Sequence, residues 1–309
     1  MNQSSIPAAT RASAALATAA AAREGLVFGI LGVGCFSLTL PATRIAVADL
    51  DPTIVGLGRA LIAAVLSLIA LALSRRPLPR PKLWPRLLVV ALGVVIGFPW
   101  LSAWAMSDVP AVHGAIVTGL LPLSTAAFGA MLAGERPSPL FWVATMAGSA
   151  VVAGFALVSG GGHIALADLA LVVAVVAAGL GYAEGARLAR ELGSWPVICW
   201  ALLISAPVLA IPVGLAVATH GVAAGTAAWV GFAYVSVVSM FLGFFAWYRG
   251  LAKGGIARVG QLQLLQPFLT IFAAALLLGE RVTPLALGSA AVVLLCVLVG
   301  RRARIGRRS

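Results

Sequence analysis

The side chains of this sequence that could do chemistry are few and spread out. Its 309 residues include 9 acids, 3 histidines and 3 cysteines. His113, His163 and His220 all fall toward the same side of the predicted connections. A metal or pH-sensing cluster there is conceivable, but single loop histidines are the commoner case. Cys35, Cys199 and Cys296 sit inside separate apolar runs with no CxxC or metal spacing, so they read as small buried hydrophobes. A polytopic enzyme acting on lipid or glycan would need a nucleophile, a base or metal ligands grouped near an interface. Here the His and Asp residues are scattered among loops. No cofactor and no metal is expected, and the chemistry left open is binding.

Binding has better candidates. Gln261, Gln263 and Gln266 lie within one apolar run, and the i,i+3 spacing of the last two puts them on one helix face. Polar side chains at membrane depth face protein or water rather than lipid, so this pair either contacts substrate or bonds a neighbouring helix. Trp100, Trp104, Tyr182, Trp247 and Tyr248 form either an interfacial aromatic belt or an aromatic wall for a planar metabolite. Proline inside a helix removes one backbone hydrogen bond and bends the segment. Pro122 does this to the Thr118 carbonyl, Pro267 to Gln263, Pro41 to Ser37 and Pro99 to Val95. Such bends either gate and offer carbonyls to substrate or are static kinks satisfied by a neighbour. The candidate substrate-binding set is Ser37, Thr39, Trp100, Trp104, Thr118, Tyr182, Trp247, Tyr248, Gln263 and Gln266.

Charged residues are more ambiguous. Arg44 and Arg59 lie toward the outer ends of the first two runs. Arg59 could bind a carboxylate bidentately, snorkel outward, or pair with Asp49 or Asp51. Glu184, three residues before Arg187, is the only acid well inside an apolar run and reads as half of a surface ion pair. No carboxylate stands at mid-membrane, which weighs against a proton-coupled drug exporter driven by a buried Glu.

The elements that must position these residues are long and apolar. The chain is 61% hydrophobic and 10% charged, beyond what a soluble core needs. Bilayer-spanning helices take roughly 20 apolar residues. Runs of that length fit at about 25–47, 53–74, 86–106, 112–133, 138–158, 166–189, 195–217, 226–250, 257–278 and 284–300. Residues 1–24 read as a flexible or interfacial Ala-rich tail without a signal-peptide pattern, and 301–309 as a basic tail. The net charge of +12 is distributed as a topology signal. Arg75 to Arg86, Arg187, Arg190, Arg249, Lys253, Arg258 and the C-terminal tail fall on one side of the counted helices. Asp49, Asp51, Asp108, Asp168 and Glu280 fall on the other. The positive-inside rule then puts both termini in the cytoplasm of a bacterial inner membrane, with lipid rather than nucleic acid as the partner of the basic residues.

The chain also repeats itself. "MLAGERPSPL" returns as "LLLGERVTPL", with Glu280 145 positions after Glu135. At that offset Pro122 matches Pro267, Thr125 matches Thr270, and Gly134 matches Gly279. The halves are about 25–158 and 166–300. Five helices per half is an odd number, so the second half enters the membrane from the other side. Such inverted repeats bind substrate near the midplane, between the halves. Locally, each Glu precedes the next helix, whose N-terminus favours an anion.

These motifs resemble the drug/metabolite transporter superfamily in its EamA-type branch. The resemblance rests on "GVVIGFPWLSAWAMSDVPAVHGAIVTGLLPLSTAAFGAMLAGERPSP", its echo "FLGFFAWYRGLAKGGIARVGQLQLLQPFLTIFAAALLLGERVTP", and "LGRALIAAVL". The chain is similar to YddG-type exporters of amino acids. That likeness implies an all-α polytopic membrane protein of ten helices in two inverted five-helix repeats around a central cavity. It also implies an exporter of small metabolites, amino acids including aromatic ones among them; a monomer is the expectation, with a glycine-paired dimer as the alternative. The Gly93/Gly97 and Gly181/Gly185 pairs are expected to permit close helix packing within the chain.

Overall fold

A computed structural model describes residues 8–132, 135–159, 164–254, 259–302 and 305–307. Seven described helices are long and apolar enough to cross a membrane. They are α1 (Arg23–Ala46), α2 (Ile54–Leu73), α3 (Pro81–Asp108), α4 (Ala111–Leu132), α6 (Leu166–Leu192), α7 (Ser194–His220) and α8 (Thr226–Gly254). Three more helices carry shorter apolar stretches: α5 (Pro139–Ser159), α9 (Leu262–Leu278) and α10 (Pro284–Arg302). The only strands among the described residues are β1 (Glu135–Pro137) and β2 (Ile305–Arg307), paired antiparallel. They join the first Gly-Glu-Arg box to the C-terminal tail.

The segment read as a flexible or interfacial tail is helical where it is described. Helix begins at Ala8 and runs directly into α1, because alanine, which dominates it, has the highest helix propensity.

The outer surface is apolar in stripes. Ile62, Val65 and Ile69 of α2 are all exposed, as are Leu169, Val172, Val173 and Val176 of α6. Both sets follow helical spacing, so each helix turns one apolar face outward and one inward. In a soluble protein such faces would be a liability; around a membrane protein they meet lipid.

Small residues set how closely the inner faces approach. A Cβ on Gly25 of α1 would lie 2.4 Å from the Gly254 Cα of α8. One on Gly93 of α3 would lie 2.4 Å from the Ala177 carbonyl oxygen of α6. Small residues let membrane helices pack at backbone distance. Packed pairs include α1–α8, α3–α6, α1–α9, α4–α6, α2–α8, α3–α7 and α6–α8, together with α2–α7, α4–α9 and α5–α10.

Candidate functional site

Four helices lose regular α geometry just before a proline. α1 is interrupted at Leu38, three residues before Pro41, and α4 at Gly119–Leu120, before Pro122. α3 is π-helical over Ala91–Gly97, before Pro99, and Gln261–Leu265 is a 3-10 segment ahead of Pro267 in α9. The missing N–H of each proline removes the bond that would hold a regular turn there. At Pro41 the freed acceptor is met by a neighbour: the Thr270 hydroxyl of α9 donates to the Ser37 carbonyl at 2.8 Å. That bend is therefore satisfied between helices and does not offer its carbonyl to a ligand.

Inside these bends lies a narrow cavity of about 20 Å³, room for about one water as it stands. Six helices line it. Its polar wall is Thr39 from α1, Arg59 from α2, Tyr182 from α6, Ser239 from α8 and Gln266 from α9. Its apolar wall includes Phe36, Phe98 and Phe244. Thr39 and Ser239 share a hydrogen bond of 2.8 Å, joining α1 to α8. Phe36 stacks on Tyr182 at 6.2 Å and meets Phe244 edge-on at 5.0 Å, favourable aromatic geometries.

The local chain explains how Arg59 reaches this wall. A π-helical turn, Ile54–Gly58, immediately precedes it, and such insertions re-aim side chains at functional sites. Gly56 has no side chain to hold α2 off α3; a Cβ there would lie 2.8 Å from the Trp100 Cα. Arg59 neither snorkels nor pairs with the nearby acids. It is 1% exposed, and its Nε and Nη2 have no hydrogen-bond partner. Asp49 instead accepts from the Gly225 N–H, and Asp51 from the Thr53 N–H, each at 2.8 Å.

Of the ten residues anticipated from the sequence, Thr39, Tyr182 and Gln266 line the cavity. Ser37 and Thr118 bond backward within their own helices, to the Val33 and Ala115 carbonyls. Trp100 faces outward, 43% exposed, and Trp104 is half-buried. Trp247 stands behind the wall, 5.8 Å from the Tyr182 ring. Tyr248 is buried and donates to the Gly181 carbonyl at 3.3 Å. Gln263 is buried with neither amide atom partnered, but lies outside the cavity lining. Ser239 and the phenylalanines are residues that the sequence does not single out as binding, and Arg59 is one whose role it leaves open between carboxylate binding, snorkelling and pairing. An apolar face toward a lumen and one toward lipid look alike in a one-dimensional pattern.

The EamA-like transporter family model matches residues 23–160 and again residues 165–300. The chain belongs to the EamA-like transporter family. It is thus an integral membrane protein of the drug/metabolite transporter superfamily. It is 48% identical over 280 residues to the transporter YdeK of Bacillus subtilis, covering 90% of this chain and 97% of that protein. It is also 29% identical over 289 residues to a "probable terminal-alkyne amino-acid exporter" of Streptantibioticus cattleyicolor, covering 90% and 94%. A solved crystal structure shares the fold with a TM-score of 0.65 at 18% identity, covering 89% of this chain and 97% of that one.

Around the cavity of this EamA transporter, the helix ends are tied by polar contacts that correct several expectations. Glu280 does cap a helix, but not the one that follows it. Its two carboxylate oxygens accept from the Ala111 and Val112 N–H groups, each at 2.9 Å, at the start of α4. The second Gly-Glu-Arg box thus closes onto the first matched region. Its Gly279 takes φ +64, a left-handed C-cap where glycine is favoured. Gly134 lies outside the described residues. His113 is no loop residue: it is buried in the first turn of α4 and bonds Asp168, itself buried in the first turn of α6. Asp168 also accepts from the Ala165 N–H at 2.8 Å. His220 lies 3.7 Å from Asp51, and His163 lies outside the described residues. Glu184 does pair with Arg187, at 2.8 Å, yet it is buried and also binds Arg86. Arg86 further reaches Glu191, while Glu24 gathers Arg249 and Lys253.

Proposed function

We propose that this EamA transporter exports small metabolites across a bacterial inner membrane by alternating access, with amino acids, aromatic ones among them, as the substrate class. The observation that carries the reading is the central cavity, built from helices of both matched regions and walled by aromatic rings and partnerless polar groups. The amino-acid export named for the Streptantibioticus relative supports the substrate class.

On this proposal α5, α9 and α10 are three further spans, giving ten helices in two inverted halves, 25–158 and 166–300. The pairing of helices supports this. Exchanging each helix for its counterpart in the other half turns α1–α8 into α3–α6, α1–α9 into α4–α6, and α2–α8 into α3–α7. The pairs α2–α7, α4–α9 and α5–α10 map onto themselves. The polar ties support it too. α1 begins at the end where Glu24 meets Arg249 and finishes beside the Asp49–Gly225 contact. Its counterpart α6 starts at the Asp168–His113 contact and finishes near the Arg86–Glu184 cluster. The basic end and both termini are then cytoplasmic, and one chain suffices.

The test is counterflow in proteoliposomes against a panel of amino acids. Labelled substrate should exchange down its gradient without an imposed pH difference, in wild type and in Glu184→Gln. Glu184 is held by two arginines in a structural cluster rather than at the cavity. Loss of its charged bonds should cost about 1.5–3 kcal/mol of stability without abolishing flux. Strict dependence on the gradient, lost in the variant, would make Glu184 a coupling site and refute this assignment.

A further inference from the structure

Resting on that reading, the geometry points to Arg59 as the anchor for the carboxylate of the transported molecule. The bound class is therefore a small organic carboxylate whose remaining body meets the rings of Phe36, Tyr182 and Phe244. The side chain as it stands is costly. A guanidinium stays protonated and offers five N–H donors. Buried charges in proteins are paired, because desolvation is otherwise uncompensated. Arg59 is 1% exposed, with Nε and Nη2 unbonded, and no described acid lies within ion-pair distance of it. A purely structural arginine would show its partner; this one shows a cavity.

The planar fork of arginine matches a carboxylate with two parallel bonds. The same cavity is narrow and would widen around the rest of such a ligand, and its lining shows what that ligand would meet. The aromatic rings supply an apolar wall, and Gln266 presents an amide oxygen without a partner, an acceptor suited to an amino group. One unpaired cation and one open acceptor fit an α-amino acid better than a dicarboxylate or an amine.

Ligand-induced thermal stabilisation of the purified full chain tests this at constant ionic strength. The probes are L-phenylalanine and L-leucine, 3-phenylpropionate, which keeps the carboxylate only, 2-phenylethylamine, which keeps the amine only, and chloride. Wild type is compared with Arg59→Gln and Arg59→Lys. The carboxylates should raise the melting temperature of wild type, and the amine should not. Arg59→Gln should need about 10- to 100-fold more carboxylate for the same shift, with Arg59→Lys in between. Without ligand, Arg59→Gln should melt no lower than wild type, because it removes an unpaired buried charge; a merely structural Arg59 would instead lose stability on substitution. Equal stabilisation by 2-phenylethylamine, an undiminished carboxylate response in Arg59→Gln, or no response of wild type to any carboxylate would overturn the assignment. A response to chloride alone would also overturn it. Stabilisation by 3-phenylpropionate through Arg59 without amino-acid flux would refute the exporter reading and leave the carboxylate site standing. Undiminished amino-acid flux in Arg59→Gln would do the reverse.

Discussion

At the scale of single residues, the buried acids among the described residues, Asp168 and Glu184, each have a structural partner, whereas buried Arg59 has none. Glu280 is partnered too. Two amides at the start of α4 would be unsatisfied without it. Glu280→Ala should therefore destabilise the fold by about 1–2 kcal/mol, the usual worth of an N-cap, and Glu280→Gln by less. Unfolding in detergent measures this, and equal stability of all three proteins would contradict the assignment. The sequence reveals that this Glu serves a helix N-terminus, because Gly, Glu and Pro in that order punctuate helices. It does not reveal which helix, since the cap crosses 168 positions of chain. The same holds for His113 and Asp168. Each reads as a loop residue when its neighbours in sequence are considered, and only tertiary packing buries them together.

At the scale of elements, the order and approximate bounds of the seven long helices are legible from the sequence, because 20-residue apolar runs leave few alternatives. The bends are legible too, since proline acts through its own covalent structure. What packing decides is the use of each bend, as the Thr270–Ser37 bond illustrates. The glycine pairs in α3 and α6 signal close approach, and the structure uses them inside the chain. Gly185 gives the sharpest test. A Cβ there would lie 2.2 Å from the Tyr248 hydroxyl oxygen, so Gly185→Ala should cost about 1–3 kcal/mol through overpacking. In a Tyr248→Ala background the same glycine substitution should cost less, a coupling that a double-mutant cycle reads. A Cβ on Gly214 of α7 would meet nothing within 4 Å, and Gly214→Ala should be neutral. Equal effects at the two glycines in a thermal-unfolding comparison would mean that the α6–α8 contact does not set this limit.

At the scale of the whole molecule, two copies of one pattern enclose one cavity. The repeat is readable because the Gly-Glu-Arg boxes and the proline pair Pro122 and Pro267 recur at one offset. The cavity lining is readable only in part. Thr39, Tyr182 and Gln266 carry polar groups that lipid would reject, while Phe36, Phe98 and Phe244 look identical to lipid-facing residues until the helices are assembled. Alternating access depends most on the two halves entering the membrane in opposite senses, since that is what lets one cavity face either side in turn. Single cysteines at Arg136 and Arg281, in a variant lacking Cys35, Cys199 and Cys296, measure this with an impermeant maleimide on intact cells. These sites flank the two boxes and spare the Glu280 cap. Inverted halves predict labelling at position 281 and none at 136 until the cells are opened. Equal labelling of both in intact cells would contradict them.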